Sequence, residues 1–426
     1  MSTGTEPETA DGLETLEAFG RRAAAWLRDH MPPAAPGYAE AQLDSDGRAA
    51  RELQRRLFEG GFAGLCFPRS YGGQGLTPAH QRVFTAESVG YQMPILFNVP
   101  TLTIIAPTLL EFGTEEQKRR YIPAMLRGDE LWVQLLSEPV GGSDLAGLVT
   151  HGRPDGDEYV INGSKVWSSG AFRSDYGLCL VRTDWDVPKH DGLSMFILPL
   201  DAPGVEIRQI EMINKSRDFC EEFFTDVRVP RAHLVGELCE GWRVTRRLLD
   251  HERDAVGGAS IYESGVQPAR RAAGCRELIE LARHRGVAHT ERTRSLIGEA
   301  RVNQIAQNCL IEHVTARLAD GTLPPTAGAF LRLAAANTAA RFDDIGLELA
   351  GGLAAGWPVG SEHGAWPHRY LFRQANALKG GSSEMQRNII SERVLGLPRE
   401  AAPDRGVPFR AVRRSATATP TDGAQP

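Results

Sequence analysis

The chain has 426 residues, 42% hydrophobic and 24% charged, enough to bury the cores of two or three domains and ordinary for a folded globular protein. A net charge of -6 without a large basic block argues against nucleic acid as a partner. Six scattered cysteines, none in a CxxC pair or at zinc-like spacing with histidine, predict free buried thiols in a reducing cytoplasm.

No basic start followed by an apolar run occurs in the first 30 residues, so no signal peptide is expected. Residues 1–10 are polar and expected to be a disordered tail, and residues 11–128 carry helical patterning. ETLEAFGRRAAAWLRDH (14–30) repeats its apolar residues at helical spacing, and TEEQKRRYIPAML (114–126) opens with Thr114 and Gln117 as a capping box. The most apolar stretch, 93–112, contains Asn98, Pro100 and Pro107, which predicts a buried, proline-broken helix and no membrane span. YGGQGL (71–76) contains a GxG without a surrounding βαβ unit and reads as a tight turn.

From 129 to 243 the period switches to two. EYVINGSKVWSSG (158–170) reads as two strands joined at Asn162-Gly163, a pair suited to a type I′ turn. Strands are expected at 177–184, 193–200, 205–210 and 222–230, without helices between them, which predicts an antiparallel sheet or barrel. Before them, QLLSEPVGGSDLAG (134–147) joins a strand to a small-residue loop, either a tight turn or a place where backbone N–H groups approach an anion or a flat ring. Trp167, followed by the hydroxyls of Ser168 and Ser169, can back an aromatic ring or fill a core.

Residues 244–400 are again helical and alanine-rich, predicting a bundle, and 401–426 is expected to be a loosely ordered tail. His284 and His289, five apart, fall on different helix faces and read as solvated side chains. In NALKGGSSEMQRNII (376–390), Ser383 and Gln386 suggest a capping box starting a helix near Ser383, behind the glycine pair Gly380-Gly381.

Five segments in order, GTEEQKRRYIPAMLRGDE, SEPVGGSDLAG, EYVINGSKVWSSGA, FFTDVRVPRAHLVGE and GGSSEMQRNIISERVLGLP, resemble the acyl-CoA dehydrogenase family across roughly residues 15–400. The resemblance implies a mainly α fold with a central β-barrel: N-terminal helical domain, antiparallel β domain, C-terminal four-helix bundle. It implies FAD held without a Rossmann fold, an acyl-CoA substrate, an electron-transfer flavoprotein as acceptor, and a homo-oligomer or a heterotetramer with a related chain. By motif match, Gln134, Leu136, Ser137, Gly142 and Ser143 should line the flavin or the thioester end of the substrate, and Trp167 and Ser169 should flank the ring. Gly351, Gly352 and Ser382 fall at further cofactor positions, and Asp250, Arg253 and Gly380 at substrate positions.

The reaction implied is α,β-dehydrogenation to a trans-2-enoyl-CoA, with flavin N5 as hydride acceptor. Removal of a weakly acidic α-proton needs a carboxylate in a dry site. Many members carry that glutamate where this chain has Gly380. Members of the isovaleryl and long-chain type carry it on the first long helix of the C-terminal domain, where LLDHERDAV presents Glu252. Read locally, a polar run such as Asp250-His251-Glu252-Arg253 is usually a solvated helix face. Glu384, in the first helical turn, is the nearest alternative base and better suited to the helix dipole. Two departures stand out: Glu348 replaces a glutamine, and ELARHRGVAHT lacks an Arg-x-x-Phe-Gly pattern, so FAD sits differently here or some flavin sites of the assembly are empty. An oxygen-using flavoenzyme and a non-catalytic partner subunit are the rival readings.

Overall fold

Thr15 opens helix α1 (Leu16–His30) by accepting a hydrogen bond from Ala18 N, and the turn-by-turn repeat of Phe19, Ala23 and Leu27 buries one face. That face joins α2 (Arg48–Glu59) and α3 (Pro78–Glu87) in one apolar cluster with Leu53, Leu57 and Phe84. This computed structural model describes residues 13–34, 45–257, 260–265, 270–356, 365–378, 380–402 and 404–412; stretches 1–10 and 413–426 lie outside the described residues. The proline-containing apolar stretch is buried: a wide-turn segment Phe97–Ile105, interrupted at Val99 where the backbone is extended, runs into α4 (Ala106–Phe112). No helix among the described residues is long and apolar enough to cross a membrane. Helix α5 (Glu115–Arg127) carries the predicted capping box of Thr114 and Gln117.

The β domain comprises β1 (Trp132–Leu135), β2 (His151–Asp155), β3 (Glu158–Ser169), β4 (Tyr176–Arg182), β5 (Leu193–Pro199), β6 (Val205–Gln209), β7 (Phe219–Pro230) and β8 (Leu234–Val235). They form one sheet in the order β6-β7-β3-β2-β4-β5-β8, with β1 also paired to β4. Two sequence expectations need correction here. The β1–β4 and β2–β4 pairs are parallel, so the sheet is antiparallel only in its remaining pairs. Asn162-Gly163 is no hairpin turn: β3 runs straight through it, and the β2–β3 turn falls at Gly156-Asp157. Asn162 instead exchanges two hydrogen bonds with Asp226 of β7, at 2.9 and 3.0 Å. Gly163, at φ 142°, marks a bulge where a Cβ would stand 2.5 Å from Thr150 Oγ1.

Both faces of β4 are buried. Cys179 and Val181 point into the interior of the β domain with Phe196, Phe224 and Val229, whereas Leu178 and Leu180 join the helical core around Trp132, Ile105 and Leu248. A strand that is apolar on both faces is thus the joint between domains. Of the six cysteines expected to be buried, only Cys179 and Cys220 are, and Cys309 is exposed.

Helix α6 (Gly241–Gly257) packs against the Phe97–Ile105 segment and β5. Helices α7 (Arg270–His284), α8 (Glu291–Ala319) and α9 (Gly328–Ala350) share a core of Leu278, Leu281, Leu296, Ile345 and Leu349, closed by Trp366 of α10 (Ala365–Phe372). After α11 (Ala375–Leu378) comes α12 (Ser383–Ile389), whose N-cap is Ser382, one residue before the predicted position. Ser382 Oγ accepts from Met385 N, while Gln386 Nε2 donates to the carbonyls of Gly380 and Gly381. The double glycine leaves two backbone acceptors for Gln386, which outcompetes a reciprocal box.

The tail expected to be loose is docked over Asp404–Val412. Phe409 is buried against Trp185, its amide donates to Val187 O at 2.8 Å, and the buried Arg182 guanidinium lies 3.6 Å from the centre of its ring. Lys189 bridges Asp404 and Asp144, at 2.7 and 2.9 Å.

Candidate active site

Two segments far apart in sequence meet at one carboxylate. Gln134, half-buried on β1, donates through Nε2 to Glu252 Oε2 at 3.0 Å across a separation of 118 residues. Gly380 closes the other side: at φ +64°, a Cβ there would stand 3.1 Å from Glu252 Oε1 and 3.3 Å from Arg332 Nε. Glu252, Gln134, Gly380 and Arg332 therefore form one cluster. Gln134, expected to line the flavin or the thioester end of the substrate, here donates to the carboxylate.

Arg332 is the residue of this cluster that sequence reasoning missed. It is buried on α9, and its Nη2 donates to Asn376 O at 2.6 Å. Burial pulls the guanidinium below its ordinary value, and the Glu252 carboxylate opposes that shift. The single arginine in the apolar run AFLRLAAANTAA was the available signal, because a cation is rarely buried unless something in the fold answers its charge.

Asp250 and Arg253 flank Glu252 in sequence but are engaged with each other, and Asp250 also meets Arg247, which grips Glu111 through two bonds at 2.7 and 2.9 Å. Glu384 is exposed in the first turn of α12, and the amide of that turn and Ser382 hold its carboxyl below the ordinary range. That is a dipole-facing residue, as the sequence suggested.

Beyond β1 the chain forms the small-residue loop. Leu136 is buried, and its carbonyl accepts from Lys165 Nζ at 3.0 Å; Ser137 O accepts from Val166 N at 2.9 Å. The loop is thereby stitched to β3. Gly142 has open space before it, its nearest neighbour being Ser137 Oγ 3.9 Å from a would-be Cβ, and Ser143 is exposed. Beneath, Glu138 accepts from Lys165 Nζ and from the amides of Val149 and Thr150, at 2.7–2.9 Å. Burial alone would raise the Glu138 carboxyl, but Lys165 and those hydrogen bonds outweigh it and leave it below its ordinary 4.5.

A folded value below the unfolded one means that Glu138 stabilises the fold above about pH 4.5 and loses that contribution as pH falls. Lys165→Met is expected to cost about 3–5 kcal/mol near neutral pH by stranding a buried carboxylate, with a smaller loss at pH 4. Denaturant unfolding at both values checks this; equal losses would show that the ion pair carries none of the effect.

Trp167 occupies a second bulge of β3, unpaired between Val166 and Ser168, at φ 68°. Its indole is 54% exposed, edge-on to Phe219 at 5.9 Å. Ser169 lines a cleft with Pro100, Trp132 and Arg173. An exposed indole held out by a strained bulge, beside the open Gly142 loop and the Ser169 hydroxyl, fits a flat heterocycle. Ser382 Oγ accepts from Met385 N as the helix cap, which leaves its O–H free to donate.

Gly351 and Gly352 are not brought to this cluster. They end α9, 19 residues beyond Arg332, about 28 Å along the helix. There Glu348 is paired with Arg292 at 2.6 Å, and Arg285 Nη2 would lie 2.9 Å from a Cβ on Gly351. The Glu348 carboxylate thus has a cation beside it. No group of histidine, cysteine, aspartate or glutamate among the described residues suits a metal ion.

Comparison with known proteins gives the same order of domains. The acyl-CoA dehydrogenase N-terminal domain matches residues 14–129, the middle domain 134–227 and the C-terminal domain 239–395. The acyl-CoA dehydrogenase IpdE1 of Mycobacterium tuberculosis is 35% identical over 396 residues, spanning 91% of this chain and all of that protein. FadE34 of the same organism is 33% identical, covering 85% of this chain and 48% of its own length. Among solved structures, the Tcur3481-Tcur3483 steroid ACAD is 28% identical with a TM-score of 0.75, covering 93% of this chain and all of that one. The ChsE4-ChsE5 complex from M. tuberculosis matches at 28% identity and a TM-score of 0.72, over 94% of this chain and all of that one. The chain belongs to the acyl-CoA dehydrogenase family of flavin-dependent oxidoreductases.

Proposed function

We propose that the chain dehydrogenates an acyl-CoA thioester to the trans-2-enoyl-CoA, with FAD as cofactor and Glu252 as the base. The observation that carries this reading is the meeting of Glu252, Gln134 and Gly380: a carboxylate oriented by an amide on one oxygen, its other oxygen facing a residue without a side chain. Glu252 takes the α-proton, and the electron pair left on the α-carbon closes the double bond as hydride departs from the β-carbon. When bound, the flavin supplies the acceptor for that hydride. The amide of Gly380 is the donor assigned to the thioester oxygen, where enolate charge builds up. Arg332 adds positive charge beside the carboxylate, favouring its ionised, proton-accepting form.

Trp167, Ser169, Ser137, Gly142 and Ser143 would hold the ring end of FAD. Gly351 and Gly352 lie too far from Arg332 along α9 to serve the ring end of that flavin, which supports a cofactor site shared with another chain. Likeness to a steroid dehydrogenase and to a two-component complex supports a bulky acyl group and a heteromeric assembly. An electron-transfer flavoprotein is the proposed acceptor.

The test is anaerobic. The chain, purified with FAD alone and with a co-expressed related chain, is mixed with straight, branched and steroid-side-chain acyl-CoA thioesters. Bleaching of the flavin band by at least one thioester is expected. Peroxide formation without any CoA ester would favour the oxygen-using reading instead. A yellow complex that turns over without Glu252 would make this chain a structural partner.

A further inference from the structure

The β7 segment Cys220-Glu221-Glu222-Phe223-Phe224 places Cys220, Glu222 and Phe224 in alternation on the buried face of the strand. A carboxylate at that register interrupts an otherwise apolar interior. Glu222 has no exposed surface; its Oε2 accepts from Ser168 Oγ at 3.0 Å, and its Oε1 is buried without a hydrogen-bond partner among the described residues. Lys165 stands directly opposite on β3, but its ammonium is engaged by Glu138 Oε1 and Leu136 O, at 2.9 and 3.0 Å. One cation thus serves two buried acids. From β4 the nearby titratable group is the Cys179 thiol, from β7 itself come Cys220 and Glu221, and Asp218 lies just before the strand; β6 presents Ile207 opposite. None of these offers a second positive charge. An ionised Glu222 with a single hydrogen bond in a dry interior would be strongly unfavourable.

We propose that Glu222 is a positioning residue held as a neutral carboxylic acid: it clamps the Trp167 bulge through Ser168 and keeps the buried charge of the Glu138–Lys165–Glu222 triad at zero. Burial pushes its carboxyl up to about 8, against the opposing pulls of Ser168 and Lys165. Ser168 directly follows the strained Trp167, so the Ser168–Glu222 bond fixes the bulge on its C-terminal side. Loss of the proton would place a buried negative charge beneath Trp167 and Ser169. If the flavin ring lies there, which rests on the function proposed above, that charge would disfavour its reduction.

The first test needs neither flavin nor substrate. Carbon-13 NMR of glutamate-labelled protein at pH 7 is expected to show one protonated carboxyl, absent from Glu222→Gln. A folded value above the unfolded 4.5 makes the wild type lose stability as pH rises from there to about 8. The Tm advantage of Glu222→Gln should therefore grow across that window and level off above it. In the flavin-loaded complex, the glutamine variant should lose an alkaline fall in kcat near pH 8, with KM unchanged. Should the glutamine variant fail to fold, Glu222→Leu fills the same apolar register and must show the same Tm behaviour. An ionised Glu222 at pH 7, or a Tm difference that does not vary with pH, overturns the proposal. A chain that shows the protonated carboxyl but binds no flavin would overturn the functional reading and leave the buried acid standing.

Discussion

Glu252→Gln is expected to lower turnover by about 10²–10⁴-fold, the range for loss of a positioned general base, while the flavin stays bound. Glutamine keeps the volume and can still accept from Gln134 Nε2, which meets Glu252 at 3.0 Å. The substitution therefore removes basicity and little else. Anaerobic mixing with an acyl-CoA that bleaches the wild type separates the two effects: the flavin band should persist, and its substrate-dependent loss should disappear. Bleaching at the wild-type rate would show that another group takes the α-proton. Glu384 would be an unsuitable replacement, because its exposed carboxyl is held at low values by the start of its own helix.

The second large effect is expected at Gly380. Its φ of +64° disfavours any side chain, by about 1–2 kcal/mol for an ordinary residue, and a β-branched one is a worse fit. Space matters as well as conformation. A Cβ 3.1 Å from Glu252 Oε1 and 3.3 Å from Arg332 Nε is tight enough that these neighbours must give by a few tenths of an ångström, and the two further methyls of valine ask for more. Gly380→Val should move the carboxylate off Gln134 or move the backbone amide assigned to the thioester oxygen. A misplacement near 1 Å can cost about 100-fold in rate, so kcat should fall by one to two orders of magnitude. Flavin content should change far less, since Trp167 and Ser169 belong to β3. Gly380→Ala keeps the conformational strain with the smallest added bulk, and an intermediate kcat is expected. Undiminished turnover in the valine variant would mean that Glu252 does not work from the position described.

The order of helices, strands and helices was legible because periodicity is a local property. Alternation at 222–230 and helical spacing at 14–30 hold wherever those segments end up. The exchange of glycine at 380 for glutamate at 252 was legible too, but only through resemblance, since the run around Glu252 looks like any solvated helix face. Errors fell where two local signals competed. Asn162-Gly163 suits a turn, but cross-strand bonding to Asp226 and the packing of Thr150 on Gly163 favour a bulge in a continuous strand. Ser382 and Ser383 are both good caps, and the carbonyls of Gly380 and Gly381 decide between them by engaging Gln386.

By itself the sequence determined the fold class and the family, because these rest on residue types at short spacing and on their order; the carboxylate proposed as base follows from the family resemblance. Only the tertiary structure decided what that carboxylate touches. Gln134 reaches Glu252 across 118 residues, and Arg332 comes from a helix that nothing in its own sequence places there. The inward register of Glu222, the bulge that turns Trp167 outward and the docking of Phe409 on Arg182 are likewise products of packing. Such contacts depend on which faces meet once the chain is closed, and no window of neighbouring residues carries that information.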